Sequence, residues 1–208
     1  MKTELERVQP TEIETRSFEL IEAELPRPLY PLLAPIIKRV IHTTADFEYV
    51  DNLCFSQGAV KQAQLALKNG ACIVTDTNMA KAGINQAVLK SYGGEVFCFM
   101  ADQDVAQRAK RNGTTRAVAS MDKACEQNRP FIYAIGNAPT ALVRLYELIR
   151  EGKILPHLVI GVPVGFVNVV QAKELIMETR VPYIVARGRK GGSNVAAAIC
   201  NALLYMLD

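Results

Sequence analysis

The sequence predicts a single α/β domain over residues 1–208, built on a doubly wound, mostly parallel sheet of about six strands with helices on both faces. Short apolar runs alternate along the chain with longer segments whose apolar residues recur at helical spacing. Glycine-rich or polar turns directly follow several of these runs. Half of the residues are hydrophobic, which is enough for one sizeable core, and no break in composition marks a second domain.

Two helices are predicted before the first strand. Thr11 and Glu14 have the spacing of a capping box, which starts a helix that runs to about residue 24. The second helix begins near Pro31, since proline is tolerated in a first turn, and ends at His42. Together with its neighbours, its apolar face supplies more surface than one face of a sheet requires, which predicts contact with a second copy of the chain. This face consists of Leu33, Ile36, Ile37, Val40 and Ile41.

From residue 47 onward, strands and helices alternate. The strands are predicted at residues 47–55, 72–75, 95–99, 131–135, 158–160 and 183–186. The helices are predicted at residues 58–69, 79–92 with a break near Gly83, 104–111, 115–127, 139–150, 169–179 and 194–206. Most strand runs are rich in β-branched or aromatic residues, and several helices begin or end beside glycine or proline.

Ligands of such a sheet bind outside the carboxyl ends of its strands, and the sequence marks those ends. Asp76, Gly136-Asn137, the loop 161–165 and Arg187-Gly188 each directly follow an apolar run. Glycine and proline at these positions serve the turns themselves. Because several such turns meet at one sheet edge, we expect a binding site there as well.

The segment from Gly188 to Ser193 is basic, rich in glycine and directly precedes a helix. Backbone N–H groups, the helix dipole and the Arg189 and Lys190 side chains all favour an anion there, either a phosphate or a carboxylate. The chain has no Walker A sequence and no G-x-G-x-x-G turn after the first strand. The pattern therefore predicts an anion site without indicating a nucleotide.

His42 stands at the end of the second predicted helix, three residues after Arg39. Imidazole titrates near neutral pH, so a histidine delivered into a loop is a candidate proton donor or shuttle. A histidine that only caps helix carbonyls is the alternative, and spacing alone favours it. Spacing likewise assigns no function to Ser17, whose hydroxyl is expected to bond back to its own helix. Arg116 stands at the start of a predicted helix, where a surface arginine without a function is expected.

Composition excludes several classes of protein. The net charge of +3 is too small to indicate nucleic-acid binding, and the longest apolar stretches are too short or too interrupted for a membrane span. Residues 1–6 are polar and lack the apolar core of a signal peptide, so a cytoplasmic protein is expected. The five cysteines are widely spaced and odd in number, which supports neither a disulfide framework nor a zinc site.

Five stretches, in order over nearly the whole chain, carry a family resemblance. They are Ser17-Phe18, residues 39–47 (Arg-Val-Ile-His-Thr-Thr-Ala-Asp-Phe), residues 136–142 (Gly-Asn-Ala-Pro-Thr-Ala-Leu), residues 161–167 (Gly-Val-Pro-Val-Gly-Phe-Val) and residues 187–193 (Arg-Gly-Arg-Lys-Gly-Gly-Ser). Together they closely resemble the precorrin-8X and cobalt-precorrin-8 methylmutase family.

The resemblance implies an isomerase that moves a methyl group from C11 to C12 on ring C of a corrin precursor in cobalamin biosynthesis. It also implies a homodimer with its sites near the subunit interface, and a reaction without a metal or cofactor from the protein. Residues 43–47 are more similar to the branch of the family whose substrate contains cobalt.

By the same resemblance, His42 is the catalytic acid. Ser17, Arg39 and Arg116 would contact the substrate, since arginine is well suited to the carboxylates of its acetate and propionate arms, and Arg187, Arg189 and Lys190 would assist in binding it. Two other functions stay open, a non-catalytic corrinoid or tetrapyrrole carrier and a phosphate- or nucleotide-binding enzyme that uses residues 188–193.

Overall fold

The structure, a computed structural model, describes residues 6–127, 129 and 131–207. Residues 1–5, most of the segment expected to lack a signal-peptide core, lie outside this part. The strands are β1 (Leu53–Phe55), β2 (Cys72–Thr75), β3 (Val96–Phe97), β4 (Phe131–Ile135), β5 (Leu158–Gly161) and β6 (Tyr183–Ala186). The helices are α1 (Ile13–Glu24), α2 (Ala34–Thr44), α3 (Tyr49–Asn52), α4 (Ala59–Lys68), α5 (Asn78–Gly83), α6 (Gln86–Ser91), α7 (Gln103–Arg111), α8 (Arg116–Glu126), α9 (Pro139–Arg150), α10 (Val169–Met177) and α11 (Ser193–Tyr205).

The six strands of the described chain form one sheet in the order β1-β6-β5-β4-β2-β3. Neighbouring strands are parallel except at one edge, where β1 pairs antiparallel with β6 and Leu53 lies opposite Ala186. The predicted fold class is therefore confirmed. The chain passes from β2 outward to β3 and returns to β4 on the other side of β2, so the strand order reverses between β2 and β4. In a doubly wound sheet, ligands bind at this reversal.

Helices cover both faces of the sheet, each over its own apolar core. The first core contains residues of α2, α4 and α11, and the second contains residues of α8, α9 and α10. Successive residues of β4 alternate between them, Ile132 in the first core and Tyr133 in the second. The alanine-rich α11 is the central helix of the first core, with nine of its thirteen residues buried.

The apolar face predicted for the second helix forms as expected, with Pro35 in the first turn of α2. Ile36 and Ile41, like the other apolar residues of this face inside α2, are buried. Within the same chain α2 packs against α11 and α1. For this face the expectation of surplus surface is therefore wrong, because helices of its own chain cover it.

The predicted strand over residues 47–55 is wrong in its first half. Tyr49–Asn52 form α3, and only the last three residues form β1. Asp46 Oδ1 accepts the backbone N–H of Glu48 at 3.0 Å, which favours a helical turn at this point. Periodicity does not separate the two halves, because a short apolar run fits a buried helix turn as well as a strand.

The predicted capping box is also wrong. α1 begins at Ile13 with Glu12 as its N-cap, and no side chain caps the first turn. Glu14 forms an ion pair with Arg39 of α2 instead. A guanidinium is a stronger partner for a carboxylate than one backbone N–H group, so the tertiary contact prevails over the local one. The third strand, Val96–Phe97, is shorter than predicted.

Two further observations concern the class of protein. Across the described residues, no helix is both long enough and apolar enough to cross a membrane. The five cysteines are present as free thiols.

Candidate active site

Asp76 links the two strands at the reversal of the sheet. It directly follows β2, is fully buried, and its carboxylate accepts three backbone N–H groups, from Gly136 at 2.9 Å, Asn137 at 2.8 Å and Ala138 at 2.6 Å. Burial raises the pKa of the carboxyl group, and the hydrogen bonds oppose this by favouring the charged form. The carboxylate thereby fixes the turn after β4 and the first turn of α9, which begins at Pro139.

Two hydroxyl pairs bring further helix starts to the same edge. The side-chain oxygens of Thr77 and Ser193, the first residue of α11, are 2.8 Å apart. Those of Thr115 and Thr140 are 3.1 Å apart, which joins the starts of α8 and α9. Arg116, the first residue of α8, is exposed there. Helix starts carry free N–H groups and partial positive charge, so this edge of the sheet favours anions.

The loop between β6 and α11, residues 187–192, is called the basic loop below. It lies against the loop that follows β5, because Gly192 N–H donates to Val162 O at 2.8 Å and Gly165 N–H donates to Arg189 O at 3.2 Å. The Arg189 guanidinium carbon lies 5.3 Å from the centroid of the Phe166 ring, which is 82% exposed. A cation over an exposed ring offers charge and apolar surface to the same ligand.

The other two cations of the basic loop have carboxylate partners. Lys190 Nζ lies 2.6 Å from Asp46 Oδ2 and 2.9 Å from Glu48 Oε2. These bonds raise the pKa of Lys190, and the bond from Lys190 lowers the pKa of Asp46. Arg187 forms an ion pair with Glu174 of α10 at 3.2 Å. The predicted anion loop is therefore less positive than its sequence indicates.

His42 lies in the last turn of α2 and is exposed. Its ring centroid is 5.4 Å from that of Phe18 on α1. The guanidinium carbon of Arg39 lies 5.4 Å from the Phe18 centroid and 4.8 Å from the Tyr205 centroid. One ring of α1 therefore contacts both the candidate acid and the arginine one turn before it. Ser17 precedes this ring, and its hydroxyl donates to its own helix, as spacing predicts, at 2.8 Å from Ile13 O.

Two predicted site residues, Arg39 and His42, lie against the ring of Phe18, and a third, Ser17, directly precedes Phe18 in α1. We call this set the histidine patch: Ser17, Phe18, Arg39 and His42. The ion pair of Lys190 with Asp46, two residues after the end of α2, joins this end of the helix to the basic loop, so these two groups of predicted residues are neighbours. Arg116 is different, because α8 covers the other face of the sheet. Among the described residues, no hydrogen bond, ion pair or ring contact links it to the histidine patch.

Two residues at the site escaped the sequence analysis. The ring of Tyr205, the last residue of α11, lies against the guanidinium of Arg39, and no local sequence pattern indicates this contact. Lys173 is buried in α10. Its position could have been found from the sequence, because Val169, Ala172 and Ile176 recur at helical spacing and Lys173 shares their face.

The family model for precorrin-8X methylmutase matches this chain over residues 12–206. The chain belongs to the precorrin-8X methylmutase family. Methylmutases are isomerases, and every site residue predicted for this methylmutase-family chain lies within the matched range.

Relatives of this family member cover nearly all of its length. The cobalt-precorrin-8 methylmutase of Salmonella typhimurium is 47% identical over 206 residues, with 96% of each chain covered. The cobalt-precorrin-8 methylmutase of Priestia megaterium is 45% identical over 202 residues, 97% of this chain and 90% of the relative. A crystal structure of the precorrin-8x methyl mutase from Thermus thermophilus has a TM-score of 0.88 and 44% identity, and covers 95% of this chain and 96% of that one. The predicted family is therefore confirmed.

Asp76→Asn tests how far the site depends on the carboxylate at the sheet reversal. An amide offers one oxygen, so its NH₂ group must face at least one of the N–H groups that Asp76 now accepts. We expect a loss of roughly 1–3 kcal/mol in the free energy of unfolding in urea, the usual cost of an unsatisfied buried group. Asp51→Asn, at an exposed carboxylate, is the control and should cost less than about 1 kcal/mol. Equal losses in the two variants would contradict this role.

Proposed function

We propose that this chain moves a methyl group from C11 to C12 on ring C of cobalt-precorrin-8, as an isomerase of cobalamin biosynthesis. The observation that carries the proposal is the family match over residues 12–206. Cobalt in the substrate is supported by the names of the two relatives at 45% and 47% identity. Precorrin-8X, the counterpart without cobalt, is the second substrate to test.

The proposed proton donor is His42. A methyl shift in a conjugated macrocycle needs no nucleophile from the protein, but it is favoured by a proton placed on the conjugated system. The product is an isomer of the substrate, so this proton must return in the same turnover. The exposure of His42 at a helix end supports the proposal, since a large macrocycle can reach it. General acid catalysis of this kind contributes about 10²–10⁴-fold to a rate.

Cations around the site would bind the carboxylate arms of the macrocycle. Arg39 and Arg116 present guanidinium groups, which bind carboxylates in a two-pronged geometry. Arg189 lies over an exposed ring, so it can bind a carboxylate while the ring contacts the apolar macrocycle. We expect less from Lys190, whose charge is balanced by two carboxylates of its own chain.

We also propose a homodimer in which each site takes residues from both copies. The positions of His42 and Arg116 over different faces of the sheet support this, because two copies could bring one of each to the same substrate. Exposed apolar side chains near the sheet edge offer surface for the contact, namely Val164, Phe166 and Val167.

The wild-type protein should convert cobalt-precorrin-8 with many turnovers per protein molecule, followed by the change in absorbance. A carrier would change the spectrum only in proportion to its own concentration. Parallel incubation with precorrin-8X compares the two substrates, and we expect a higher kcat/KM for the cobalt form. Stoichiometric change with both precursors would contradict the proposed reaction.

His42→Asn should lower kcat by roughly 10²–10⁴-fold, because the amide has a similar reach but cannot deliver a proton at neutral pH. Substrate affinity from absorbance titration should change little, since most of the binding surface lies elsewhere. His157→Asn is the control, because His157 is also exposed and precedes β5 at the opposite sheet edge. Near wild-type turnover in the His42 variant, or equal loss of binding and turnover, would assign His42 to positioning or docking.

Mixing of two impaired variants tests the shared site. His42→Asn and Arg116→Ala homodimers are unfolded and refolded together, so that random pairing produces mixed dimers. If each site takes His42 from one copy and Arg116 from the other, about a quarter of the sites are intact in an equal mixture, and that share of activity should return. With both residues supplied by one chain, every site keeps a defect and no activity returns.

A further inference from the structure

Lys173 has an unusual environment for a lysine. It lies in the middle of α10 and is 0% exposed. Its ammonium group donates to two backbone carbonyls of the basic loop, Gly188 O and Lys190 O, both at 2.8 Å. A single side chain of α10 therefore holds the basic loop at two points.

The carbonyl between these two points is bound as well. Arg189 O accepts the N–H of Gly165, so three successive carbonyls of the basic loop have donors from other elements. The fit is close, because a Cβ on Gly191 would lie 2.0 Å from Val162 O. With its carbonyls held in this way, the loop directs the Arg189 side chain over Phe166.

Burial of this ammonium group works against folding. It lowers the pKa of Lys173 from 10.5 to about 8, so the folded protein releases this proton more readily than the unfolded chain. The folded state therefore gains stability from this group as pH rises from about 8 to 10.5, and the charged form opposes folding. The nearby charges do not reverse the direction of this pKa shift. Glu174 is paired with Arg187, and the basic loop adds the cations Arg189 and Lys190, which also disfavour a charged Lys173. An apolar residue would suit the buried position better.

We propose that Lys173 is a positioning residue that holds the basic loop in the shape in which Arg189 binds a substrate carboxylate. The proposal rests on the proposed function for the identity of the ligand, whereas the loop contacts themselves are independent of it. It explains why a buried cation, whose hydrogen-bond partners in the described part of the chain are backbone carbonyls, occupies an otherwise apolar helix face.

Lys173→Met is the test, because methionine fills a similar volume and has no donor. Loss of the two hydrogen bonds should loosen the loop, so we expect KM to rise by roughly tenfold while kcat changes less than about threefold, as for lost ground-state binding. In the free protein, amide hydrogen exchange at Gly165 and Gly192 should become at least about tenfold faster, since both amides donate across the two loops. Lys68→Met, at an exposed lysine of α4, is the matched control and should leave all of these values unchanged.

Unchanged KM or unchanged amide exchange in Lys173→Met would overturn the proposal. If kcat, substrate affinity and thermal stability all fall to the same extent in Lys173→Met, the proposal is also overturned, because this pattern indicates a purely structural residue. If the methionine variant does not fold, Lys173→Gln, which keeps an N–H donor without the charge, is measured in the same way. If the wild type converts neither precursor, the proposed function fails, and exchange at Gly165 and Gly192 alone decides whether Lys173 holds the loop.

Discussion

Three backbone N–H groups converge on the buried carboxylate of Asp76, and the turn after β4, at the reversal of the sheet, depends on that convergence. The carboxylate fixes the turn after β4 and hence the start of α9. The same turn touches the start of α11, because a Cβ on Gly136 would lie 2.7 Å from Gly192 O and from Ser193 Cα. One carboxylate at the strand reversal therefore fixes the start of α9, and the turn that it holds packs directly against the start of α11.

Four of the six strands in the described residues could be predicted to within one residue, because strands buried on both faces need continuous apolar runs. Residues 131–135 and 183–186 match β4 and β6 without any shift. Errors occur where a contact from elsewhere in the chain decides the local structure. Glu14 leaves its own helix start for Arg39 of α2, 25 positions away, and no local pattern contains that information.

The sequence indicates motif residues for the candidate site but not the contacts between them. The motif residues of the histidine patch and the basic loop can be identified from the sequence, but their connection through Lys190 and Asp46 spans 144 positions. Lys173 was missed for a different reason. Helical spacing places it on a buried face, but a lysine in a helix normally indicates an exposed face, and its partners are backbone carbonyls, which carry no mark in the sequence.

The cations of the site differ in how freely they can accept a substrate carboxylate. Arg39 is held between the rings of Phe18 and Tyr205 and is paired with Glu14, which is itself largely exposed. An ion pair of that kind contributes only about 0–1 kcal/mol, so a substrate carboxylate can replace Glu14 at small cost while the two rings keep the guanidinium in place. Lys190 would have to leave two carboxylates, one of which is bound at 2.6 Å. We therefore expect Arg39 to bind substrate directly, whereas the contribution of Lys190 is to tie the end of the histidine-bearing helix to the basic loop.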